Sequence, residues 1–432
     1  MFWERDRECM GREELEQLQL ERLQSTLYRV GTHVPFYRNK FNELKINYDN
    51  FSSLDDLRRL PFTLKQDMRE NYPYGLFAVP LRDVVRIHSS SGTTGAATVV
   101  GYTKNDINNW SNLVARVLCC AGLTEHDVIQ IAFGYGLFTG GFGLHYGSER
   151  LGASVIPISA GNTKRQIQIM QDFKTTALVC TPSYALKMAD VMMDMGINPA
   201  GLSLRFGLFG AEPWSEGMRQ ELNERLGIQA TDNYGLSEVM GPGVAGECLH
   251  CNGLHINEDH FLAEILDPKT LEPVAEGDVG ELVITTLTKE AFPVLRYRTR
   301  DLTRFLPGDC PCGRTGRRIE RILGRSDDML IIKGVNVFPT QVESVLCGID
   351  GTTPHYRILV ERENNVDRAT VMVEVQESFF FHEMKKQRAL ISGIKQQLVS
   401  ELGIGMEVKL VEERTLERFE GKGQRVIDNR KL

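Results

Sequence analysis

The sequence predicts an α/β protein with a large N-terminal domain and a small α+β C-terminal domain. From residue 84 onward, short apolar strands alternate with amphipathic helices, an order typical of parallel sheets covered by helices on both faces. A composition break at Gly324-Arg325-Ser326-Asp327-Asp328 then precedes a stretch with a different order of strands and one helix. A short polar segment between two such patterns is typical of a domain boundary.

The N-terminal domain, residues 1–325, is predicted in three parts. A helical lead-in covers 1–80, because apolar side chains recur every three or four residues between Leu20 and Val30. The α/β core covers 81–250, with mostly parallel strands predicted at 84–88, 128–133, 153–158, 177–180 and 204–209. A small antiparallel β unit covers 251–325, with strands predicted at 264–266, 280–285 and 303–305.

The C-terminal domain, residues 326–432, follows the polar stretch at 324–328. Strands are predicted at 356–360, 370–375 and 408–411, and a helix is predicted at 379–402. These elements have the length of an independent small domain joined to the rest by a hinge.

Composition excludes several classes of function. The 432 residues carry a formal net charge of -7, so the chain has no basic field that would attract nucleic acid or an anionic membrane. No apolar run approaches the roughly 18 residues of a membrane span, and charged residues occupy the N-terminus where a signal peptide has its apolar core. Nine scattered cysteines do not resemble a secreted disulfide framework. We therefore expect a cytoplasmic protein.

A loop of small hydroxyl residues and glycines follows the first predicted strand. It reads Ser89-Ser90-Ser91-Gly92-Thr93-Thr94-Gly95. Without bulky side chains, its backbone N–H groups and hydroxyls can surround a phosphate, and we expect it at the carboxyl end of a strand of the parallel sheet. No Lys-Ser or Lys-Thr pair closes it, so it differs from a Walker loop, and Lys65 is a candidate for the missing basic partner. A flexible surface turn is the alternative interpretation.

Five further motifs follow in order along the chain. They are Gly210-Ala211-Glu212-Pro213, Asp232-Asn233-Tyr234-Gly235-Leu236-Ser237-Glu238, Tyr297-Arg298-Thr299-Arg300-Asp301, Gly324-Arg325-Ser326-Asp327-Asp328 and Glu420-Gly421-Lys422. With the loop at 89–95, this series resembles the adenylate-forming acyl ligase superfamily, and within it the group of phenylacetate-coenzyme A ligases. The stretches at 133–141, 287–293 and 331–339 are similar to that group as well. The resemblance covers nearly the whole chain.

The resemblance implies which residues bind ATP. The phosphates would be held by Ser90, Ser91, Gly92, Thr93, Thr94 and Gly95, and the adenine site would be formed by Ala211, Glu212, Pro213, Asp232, Asn233, Tyr234 and Gly235. Tyr234 would stack on adenine, and Glu238, a hard carboxylate, would hold Mg²⁺ against the phosphates. Asp301 would bind the ribose hydroxyls, and Arg325 the ribose or the α-phosphate.

The resemblance also assigns residues to the moving C-terminal domain. Asp327 would be the hinge about which this domain turns, and Lys422 would be the catalytic lysine. A carboxylate that attacks the α-phosphorus must approach another anion, and a positioned ammonium offsets that repulsion. The family usually has Pro-Arg-Ser before this glutamate, whereas this chain has Glu417-Arg418-Phe419. A single solvated lysine in a charged tail is the alternative.

The second half-reaction needs coenzyme A and an acyl pocket. By the resemblance, Gly334 would line the pantetheine tunnel, where a larger side chain would block the arm. Aromatic and small residues could accept a flat ring beside Tyr234, and they are Tyr135, Phe138, Gly140 and Gly143. Core packing is the alternative role of such aromatic and glycine residues.

A cysteine and histidine pattern in the small β unit predicts a metal site. Cys248-x2-Cys251-x3-His255 is followed about fifty residues later by Cys310-Pro-Cys312. Thiolates and an imidazole in two close pairs suit a structural, tetrahedral Zn²⁺. The resemblance implies that relatives with a Cys-Pro-Cys pair it with the cysteine and histidine that match Cys248 and His255, which favours these two over Cys251 as ligands. Free thiols are the alternative.

We therefore expect an ATP-dependent ligase that joins phenylacetate to coenzyme A through an acyl-adenylate and releases AMP and pyrophosphate. The expected ligands are the aryl acid, ATP, Mg²⁺, coenzyme A and a structural Zn²⁺, with a second copy of the chain as a candidate partner and with no nucleic acid or membrane. The alternatives are a ligase for another aromatic acid such as benzoate or indoleacetate, a small-molecule adenylyltransferase without a thiol step, and a non-enzymatic zinc-binding interaction protein.

Overall fold

The structure of this chain, a computed structural model, describes residues 1–89, 97–327, 330–332, 335–363, 366–376, 384–419 and 424–430. Spatial contacts divide the chain into two units. Unit 1 comprises Met1–Cys180, Leu202–Ala211 and Gln229–Arg321, and unit 2 comprises Thr181–Gly201, Glu212–Ile228 and Ile322–Leu432. The domain boundary between 325 and 326 stays a prediction.

Unit 1 contains seven α-helices within its described residues. They are α1 (Arg5–Glu8), α2 (Arg12–His33), α3 (Pro35–Glu43), α4 (Lys65–Glu70), α5 (Lys104–Cys120), α6 (Thr139–Leu151) and α7 (Thr163–Asp172). The periodicity of the lead-in is confirmed in α2, where Leu23, Leu27 and Val30 are fully buried. α5 begins at a capping box formed by Thr103 and Asp106. It packs against α6.

The main sheet of unit 1 has nine strands in the described part of the chain. They are β3 (Val128–Ile131), β4 (Ser154–Ile156), β5 (Ala177–Cys180), β6 (Phe206–Gly210), β7 (Gln229–Leu236), β8 (Gly241–Glu247), β9 (Leu254–Ile256), β13 (Phe305–Leu306) and β14 (Arg318–Ile319). Their order is β13-β14-β9-β8-β7-β6-β5-β3-β4. The strands from β4 to β7 are parallel, which confirms the predicted parallel core, and the remaining pairs are antiparallel.

The first predicted strand does not belong to this parallel sheet. β1 (Val84–Ser89) pairs antiparallel with β2 (Val99–Thr103), and His88 lies opposite Val100. The expectation that the hydroxyl-rich loop follows a strand of the parallel sheet is therefore wrong. β2 follows β1 too closely for a parallel pair, which needs a crossover of about a dozen residues or more. The residues between them, 90–96, lie outside the described part of the chain.

Three further strands of unit 1 confirm the small antiparallel β unit. They are β10 (Phe261–Leu266), β11 (Gly280–Thr286) and β12 (Tyr297–Thr303), and their neighbours pair antiparallel. The strand predicted at 303–305 is wrong in its position. β12 ends at Thr303, whereas Phe305 begins β13 of the main sheet, because the chain passes from one sheet to the other at Arg304.

Unit 2 contains four described α-helices, which are α8 (Pro182–Asp194), α9 (Glu216–Leu226), α10 (Pro339–Cys347) and α11 (Met384–Leu402). Its strands are β15 (Gly324–Arg325), β16 (Leu330–Ile332), β17 (Val335–Val337), β18 (Thr352–Glu363), β19 (Val366–Val375), β20 (Glu407–Glu412) and β21 (Val426–Asp428). β16 and β17 pair antiparallel. The larger sheet has the order β20-β19-β18-β21, with an antiparallel central pair and parallel outer pairs. Its core joins Ile358 and Val371 to Ile394 of α11.

Helix composition bears on the predicted absence of a membrane span. The longest described helices, α2 and α11, have 22 and 19 residues and carry charged side chains along their length. None of the helices in the described ranges combines the length and the apolar composition that a membrane-spanning segment needs.

Candidate active site and candidate metal centre

The carboxyl ends of β6 and β7 bring two predicted adenine motifs together. The strands are parallel, with Gly210 opposite Asn233. A Cβ on Gly210 would lie 2.3 Å from the backbone oxygen of Asn233, so this close approach requires glycine. Ala211 follows with a φ of 69°, in the left-handed region, and the chain turns there. Both motifs thus lie at the sheet edge where parallel sheets bind ligands.

The side chain of Asn233 has a buried acceptor. Asn233 is 6% exposed, and its Nδ2 donates to the backbone oxygen of Phe209 at 3.5 Å. Within the described residues, Asn233 Oδ1 has no hydrogen-bond donor. A buried polar atom without a partner costs about 1–3 kcal/mol, so this oxygen is suited to accept from a ligand. The neighbouring Asp232 is also buried, and its backbone N–H donates to Glu247 Oε2 at 2.7 Å.

Tyr234 and Asp301, predicted for adenine and ribose, are direct neighbours. The Tyr234 hydroxyl donates to Asp301 Oδ2 over 2.6 Å, although the residues are 67 positions apart. Asp301 lies on β12 and is 8% exposed. An O–H to carboxylate bond of this length is charge-assisted and strong, so it fixes the phenol relative to the carboxylate. Gly235 is required next to Tyr234, because a Cβ there would lie 1.9 Å from the backbone oxygen of Gly241.

Glu238, the predicted Mg²⁺ ligand, lies in the turn after β7 beside a lysine. It is 6% exposed, and Lys65 Nζ lies 3.4 Å from its Oε1. Lys65 is the first residue of α4. It is the side chain that was predicted as a candidate for the basic partner of the phosphates. The neighbouring Ser237 hydroxyl lies 2.8 Å from the hydroxyl of Thr139, the first residue of α6. Sequence reasoning did not name Thr139 as a site residue. Its position directly after a run of aromatic and glycine residues could have identified it.

The end of β1 is attached to the loop that precedes α6. His88 Nδ1–H and the backbone N–H of Ser89 both donate to the backbone oxygen of Leu137, at 3.0 and 2.9 Å. Burial lowers the pKa of His88 to about 4, so the ring is neutral at pH 7. The predicted phosphate residues that follow, Ser90, Ser91, Gly92, Thr93, Thr94 and Gly95, lie outside the described residues.

Two predicted acyl-pocket residues are the aromatic side chains Tyr135 and Phe138. The Tyr135 hydroxyl lies 3.3 Å from His145 Nδ1, and its ring meets the ring of Phe142 edge-on with centroids 5.2 Å apart. Phe138 is 37% exposed. Tyr135 and Phe138 therefore lie in the loop before α6, and Tyr135 contacts side chains from the first two turns of that helix.

The two predicted acyl-pocket glycines, Gly140 and Gly143, lie on α6. A Cβ on Gly140 would lie 3.3 Å from the ring of Phe138. At Gly143, a Cβ would lie 2.4 Å from the ring of Trp110 on α5. Gly143 is thus needed for the packing of α6 against α5, whatever its part in an acyl pocket.

Lys289 is a buried lysine that sequence reasoning did not single out. It is 1% exposed, and its Nζ lies 3.0 Å from the centroid of the Tyr102 ring and 3.7 Å from Met240 Sδ. The Tyr102 hydroxyl donates to the backbone oxygen of Met240 at 2.8 Å. Burial lowers the pKa of Lys289 to about 7, although the charge of Asp106 acts in the opposite direction. Lys289 thus packs beneath the turn that carries Glu238.

Four side chains predicted as zinc ligands lie together in unit 1. The donor atoms of Cys248, His255, Cys310 and Cys312 all lie within 4.8 Å of one another. Cys248 Sγ lies 3.6 Å from Cys310 Sγ, and Cys312 Sγ lies 3.4 Å from His255 Nε2. Cys251 lies outside this group. Its Sγ contacts the backbone oxygen of Ala230 at 3.7 Å instead. His255, which was preferred to Cys251, belongs to the group, and its role as a zinc ligand stays a prediction.

The chain after Cys312 is also held by the N-terminal residues. Arg314 Nε donates to Glu8 Oε2 at 2.7 Å, and both side chains are buried. The Thr315 hydroxyl donates to the backbone oxygen of Met10 at 2.7 Å. The segment that follows the cysteine and histidine cluster is therefore anchored to the first ten residues of the chain.

Predicted site residues of unit 2 show two local arrangements. Glu212 Oε1 accepts from the backbone N–H of Ser183 at 2.8 Å, which places a negative charge at the start of α8. Pro213 is exposed. Arg325 donates to both carboxylate oxygens of Asp327, at 2.8 and 2.9 Å. The predicted coenzyme A residue Gly334 and the predicted catalytic Lys422 lie outside the described residues.

Comparison with known proteins identifies the family. Residues 32–288 match the family model described as AMP-binding enzyme, and residues 334–430 match the AMP-binding enzyme C-terminal domain. A phenylacetate-coenzyme A ligase of Escherichia coli (strain K12) is 51% identical over 422 residues, which cover 97% of this chain and 96% of that protein. This chain belongs to the phenylacetate-coenzyme A ligase family.

Further members and solved structures agree with this assignment. The phenylacetate-coenzyme A ligase of Thermus thermophilus is 48% identical and covers 100% of both chains. The crystal structure of a 2-hydroxyisobutyryl-CoA ligase in complex with 2-HIB-AMP matches with a TM-score of 0.94 and 29% identity, covering 99% of this chain and 92% of that one.

Membership of the phenylacetate-coenzyme A ligase family confirms several predictions. The predicted family, fold class and enzyme class are confirmed, and ATP, coenzyme A and a small-molecule acid are the substrates of such ligases. The roles of individual site residues, the two metal ions, the homodimer and the cytoplasmic location stay predictions.

Proposed function

We propose that this chain joins phenylacetate to coenzyme A in two half-reactions. First, a carboxylate oxygen of phenylacetate attacks the α-phosphorus of ATP, the bond to the bridging oxygen of pyrophosphate breaks, and phenylacetyl-adenylate forms. The thiolate sulfur of coenzyme A then attacks the acyl carbon, the carbon–oxygen bond to AMP breaks, and phenylacetyl-coenzyme A forms. The relatives named phenylacetate-coenzyme A ligase, which match nearly the whole chain, support phenylacetate as the acid.

The observation that carries the proposal is the hydrogen bond between Tyr234 and Asp301 at the end of β7. It places a flat ring and a buried carboxylate side by side, as the adenine and ribose of one nucleotide require. A carboxylate oxygen can accept more than one hydrogen bond, so Asp301 can also accept from a ribose hydroxyl. Asn233 directly precedes Tyr234, and its buried Oδ1 can accept from the amino group of adenine. Three neighbouring side chains thus match three parts of adenosine.

Glu238 and Lys65 fit the phosphate end of ATP. A carboxylate has two oxygens, so Glu238 can contact Lys65 and also ligate a hard cation. Mg²⁺, when bound there, neutralises negative charge on the phosphates. The Lys65 ammonium adds a positive charge at the same place, which the hydroxyl-rich loop at 89–95 lacks. This pair therefore lowers the repulsion that opposes attack by the acid.

Lys422 has the catalytic role in the first half-reaction of this proposal. Its ammonium would contact the carboxylate and the α-phosphate as negative charge shifts toward pyrophosphate. Arg325 would bind the ribose or the α-phosphate, Asp327 would serve as the hinge, and Gly334 would line the path of the pantetheine thiol. These assignments rest on the motifs of the family.

A structural Zn²⁺ completes the proposal, with Cys248, His255, Cys310 and Cys312 as ligands. The separation of 3.6 Å between two sulfurs fits this ion, because tetrahedral Zn–S bonds of about 2.3 Å place sulfurs about 3.8 Å apart. A disulfide needs about 2.05 Å. Three sulfurs and one imidazole nitrogen form a closed donor set of structural type. The ion when bound cross-links β9 to the chain at 310–312.

The experiment measures pyrophosphate and AMP release with Mg-ATP and a panel of aryl acids, with and without coenzyme A. We expect pyrophosphate release to require phenylacetate and AMP turnover to require coenzyme A. Lys422→Ala should slow the first step by about 10²–10³-fold, whereas Lys409→Ala, at an exposed position on β20, should not.

Other outcomes would select an alternative. Preference for another acid would change the substrate, and turnover independent of coenzyme A would favour the adenylyltransferase. No activity with any acid would overturn the proposal.

A further inference from the structure

We propose that Lys289 is a positioning residue for Glu238, the predicted Mg²⁺ ligand. Its buried amino group holds Tyr102 and Met240, and these two residues hold the turn that carries Glu238. The inference rests on the proposed function, because it depends on the role of Glu238 in binding Mg-ATP. Lys289 belongs to the stretch at 287–293, to which the proposed function assigns no role. All the residues named below belong to the described part of unit 1.

The backbone around Lys289 is fixed to the start of α5. Asp106 Oδ1 accepts from the backbone N–H of Glu290 at 2.7 Å, and its Oδ2 accepts from that of Ala291 at 2.9 Å. The Thr103 hydroxyl donates to Glu290 Oε2 at 2.7 Å. The side chain of Lys289 therefore extends from a rigid base.

The side chain of Lys289 reaches the far end of the turn around Glu238. Its Nζ lies 3.0 Å from the centroid of the Tyr102 ring and 3.7 Å from Met240 Sδ. The Tyr102 hydroxyl donates to the backbone oxygen of Met240 at 2.8 Å. The backbone N–H of Met240 donates to the backbone oxygen of Leu236 at 3.1 Å, which closes the turn. One amino group thus contacts both the side chain of Met240 and the ring that holds its backbone.

Tyr102 is itself held rigidly. Its ring stacks on the ring of Trp110, with centroids 4.9 Å apart and planes at 16° to each other. Trp110 Nε1 donates to the backbone oxygen of Pro242 at 2.8 Å, and both aromatic side chains are buried. The chain just after Glu238 is therefore held at positions 240 and 242, and a shift of the Tyr102 ring would move the turn with it.

A packing role alone would not need a lysine at this position. Lys289 is 1% exposed, and the partners of its Nζ among the described residues are an aromatic ring and a thioether sulfur. The oxygens of Asp106, whose charge acts on Lys289, accept from backbone N–H groups. Burial of an amino group without a carboxylate contact is costly, and a methionine of similar length would fill the space at a lower cost. The directional contacts of the lysine therefore explain it better than stability does.

The size of the expected effect follows from other groups that orient metal ligands. Their loss commonly costs about 10–100-fold in metal affinity or activity. Loss of the Lys289 amino group should therefore weaken Mg²⁺-dependent binding of ATP and slow adenylate formation. The thioester step starts from the adenylate and does not use Glu238 in this proposal, so it should be nearly unchanged.

The test removes the amino group and keeps the length of the side chain, with Lys289→Met. The second variant is Tyr102→Phe, which keeps the ring and removes the hydrogen bond to Met240. The control is Lys104→Met, at the exposed first residue of α5. Calorimetric binding of ATP over a range of Mg²⁺ concentrations measures the metal site without any acid. Pyrophosphate exchange with phenylacetate, and thioester formation from synthetic phenylacetyl-adenylate, measure the two half-reactions.

The expected result separates the two half-reactions. Lys289→Met should need about tenfold more Mg²⁺ for half-maximal ATP binding and should exchange pyrophosphate about 10–100-fold more slowly. Tyr102→Phe should shift both quantities in the same direction. For Lys289→Met, the thioester rate and KM for phenylacetate should stay within about threefold of the parent, and Tm should not fall. The control should match the parent in every measurement.

A double variant shows whether Lys289 acts through Glu238. In a Glu238→Gln background, Lys289→Met should cause no further loss in pyrophosphate exchange, because the carboxylate that it positions is absent. Losses that multiply, equal losses in both half-reactions, or an unchanged Mg²⁺ dependence in folded Lys289→Met would overturn the inference. If Lys289→Met does not fold, Tyr102→Phe decides by the same Mg²⁺ dependence. A parent protein that binds Mg-ATP but uses no aryl acid would overturn the proposed function, and ATP binding would still decide the role of Lys289.

Discussion

Removal of one cluster thiol by Cys310→Ser should release zinc and destabilise unit 1. Zinc at this site would cross-link Cys248 to Cys310, which are 62 positions apart. A cross-link that closes a loop of this length stabilises a fold by about 4 kcal/mol through the entropy of the unfolded chain. For a protein of this size, that loss corresponds to a fall in Tm of about 5 °C.

Metal content and thermal unfolding measure this effect together. The parent protein, purified without added metal, should contain one zinc per chain by mass spectrometry, and a strong chelator should lower its Tm by about 5 °C. Cys310→Ser should lack the zinc and should unfold at the lower temperature with or without chelator. The matched control is Cys251→Ser, because this thiol is nearby but contacts Ala230 rather than the cluster.

Two results would refute the reasoning about zinc. A parent protein with no bound metal and a chelator-insensitive Tm would mean that the four side chains only pack together. Equal loss of zinc from Cys251→Ser and Cys310→Ser would mean that the ligand set is different.

Three further substitutions test other parts of the site. Glu238→Gln keeps the shape of the side chain but loses its charge, so pyrophosphate release should fall by about 10²-fold and need more Mg²⁺; an unchanged Mg²⁺ dependence would exclude Glu238 as the ligand. Tyr234→Phe keeps the ring and removes the 2.6 Å bond to Asp301, so KM for ATP should rise about tenfold, equal to about 1.4 kcal/mol, with little change for phenylacetate; equal changes in both KM values would contradict this assignment. Burial lowers the pKa of Lys289 from 10.5 to about 7, so the unfolded chain binds more protons between these values and stability rises with pH across that window. Denaturation midpoints at pH 7.5 and 9.5 should therefore differ less in Lys289→Met than in the parent, and parallel slopes would contradict the expectation.

Sequence patterns predicted the elements whose signal is local. The strands β3, β5 and β6 coincide with short apolar runs, and α2 coincides with a regular helical repeat of apolar residues. The pairing of β1 with β2 was missed because a strand pattern does not identify its partner. For the same reason, the sequence did not show that Thr303 and Phe305 belong to strands of two different sheets.

The candidate site shows the same difference between local and long-range information. The motif at 232–238 predicted a nucleotide site, but its contact with Asp301 depends on the pairing of distant strands. Tyr102 and Met240 are 138 positions apart, and neither stands in a pattern that identifies the other. Burial of Lys289 was likewise hidden, because a lysine in a loop motif is ordinarily exposed. The four predicted zinc ligands were the exception, since their spacing is itself a chemical signal and the structure brings their donor atoms together.

The two hydrogen bonds to the carbonyl of Leu137 connect the end of β1 with the loop before α6. This carbonyl is shared by His88 and Ser89, which precede the predicted phosphate loop, and it belongs to the loop that holds Tyr135 and Phe138. If Tyr135 and Phe138 line the acyl pocket as predicted, an acid that orders this loop also orders the end of β1, and we expect the two substrates to bind cooperatively. Because such coupling is reciprocal, the factor by which phenylacetate tightens ATP must equal the factor by which ATP tightens phenylacetate. Changes of acid specificity at this loop should consequently alter the affinity for nucleotide as well.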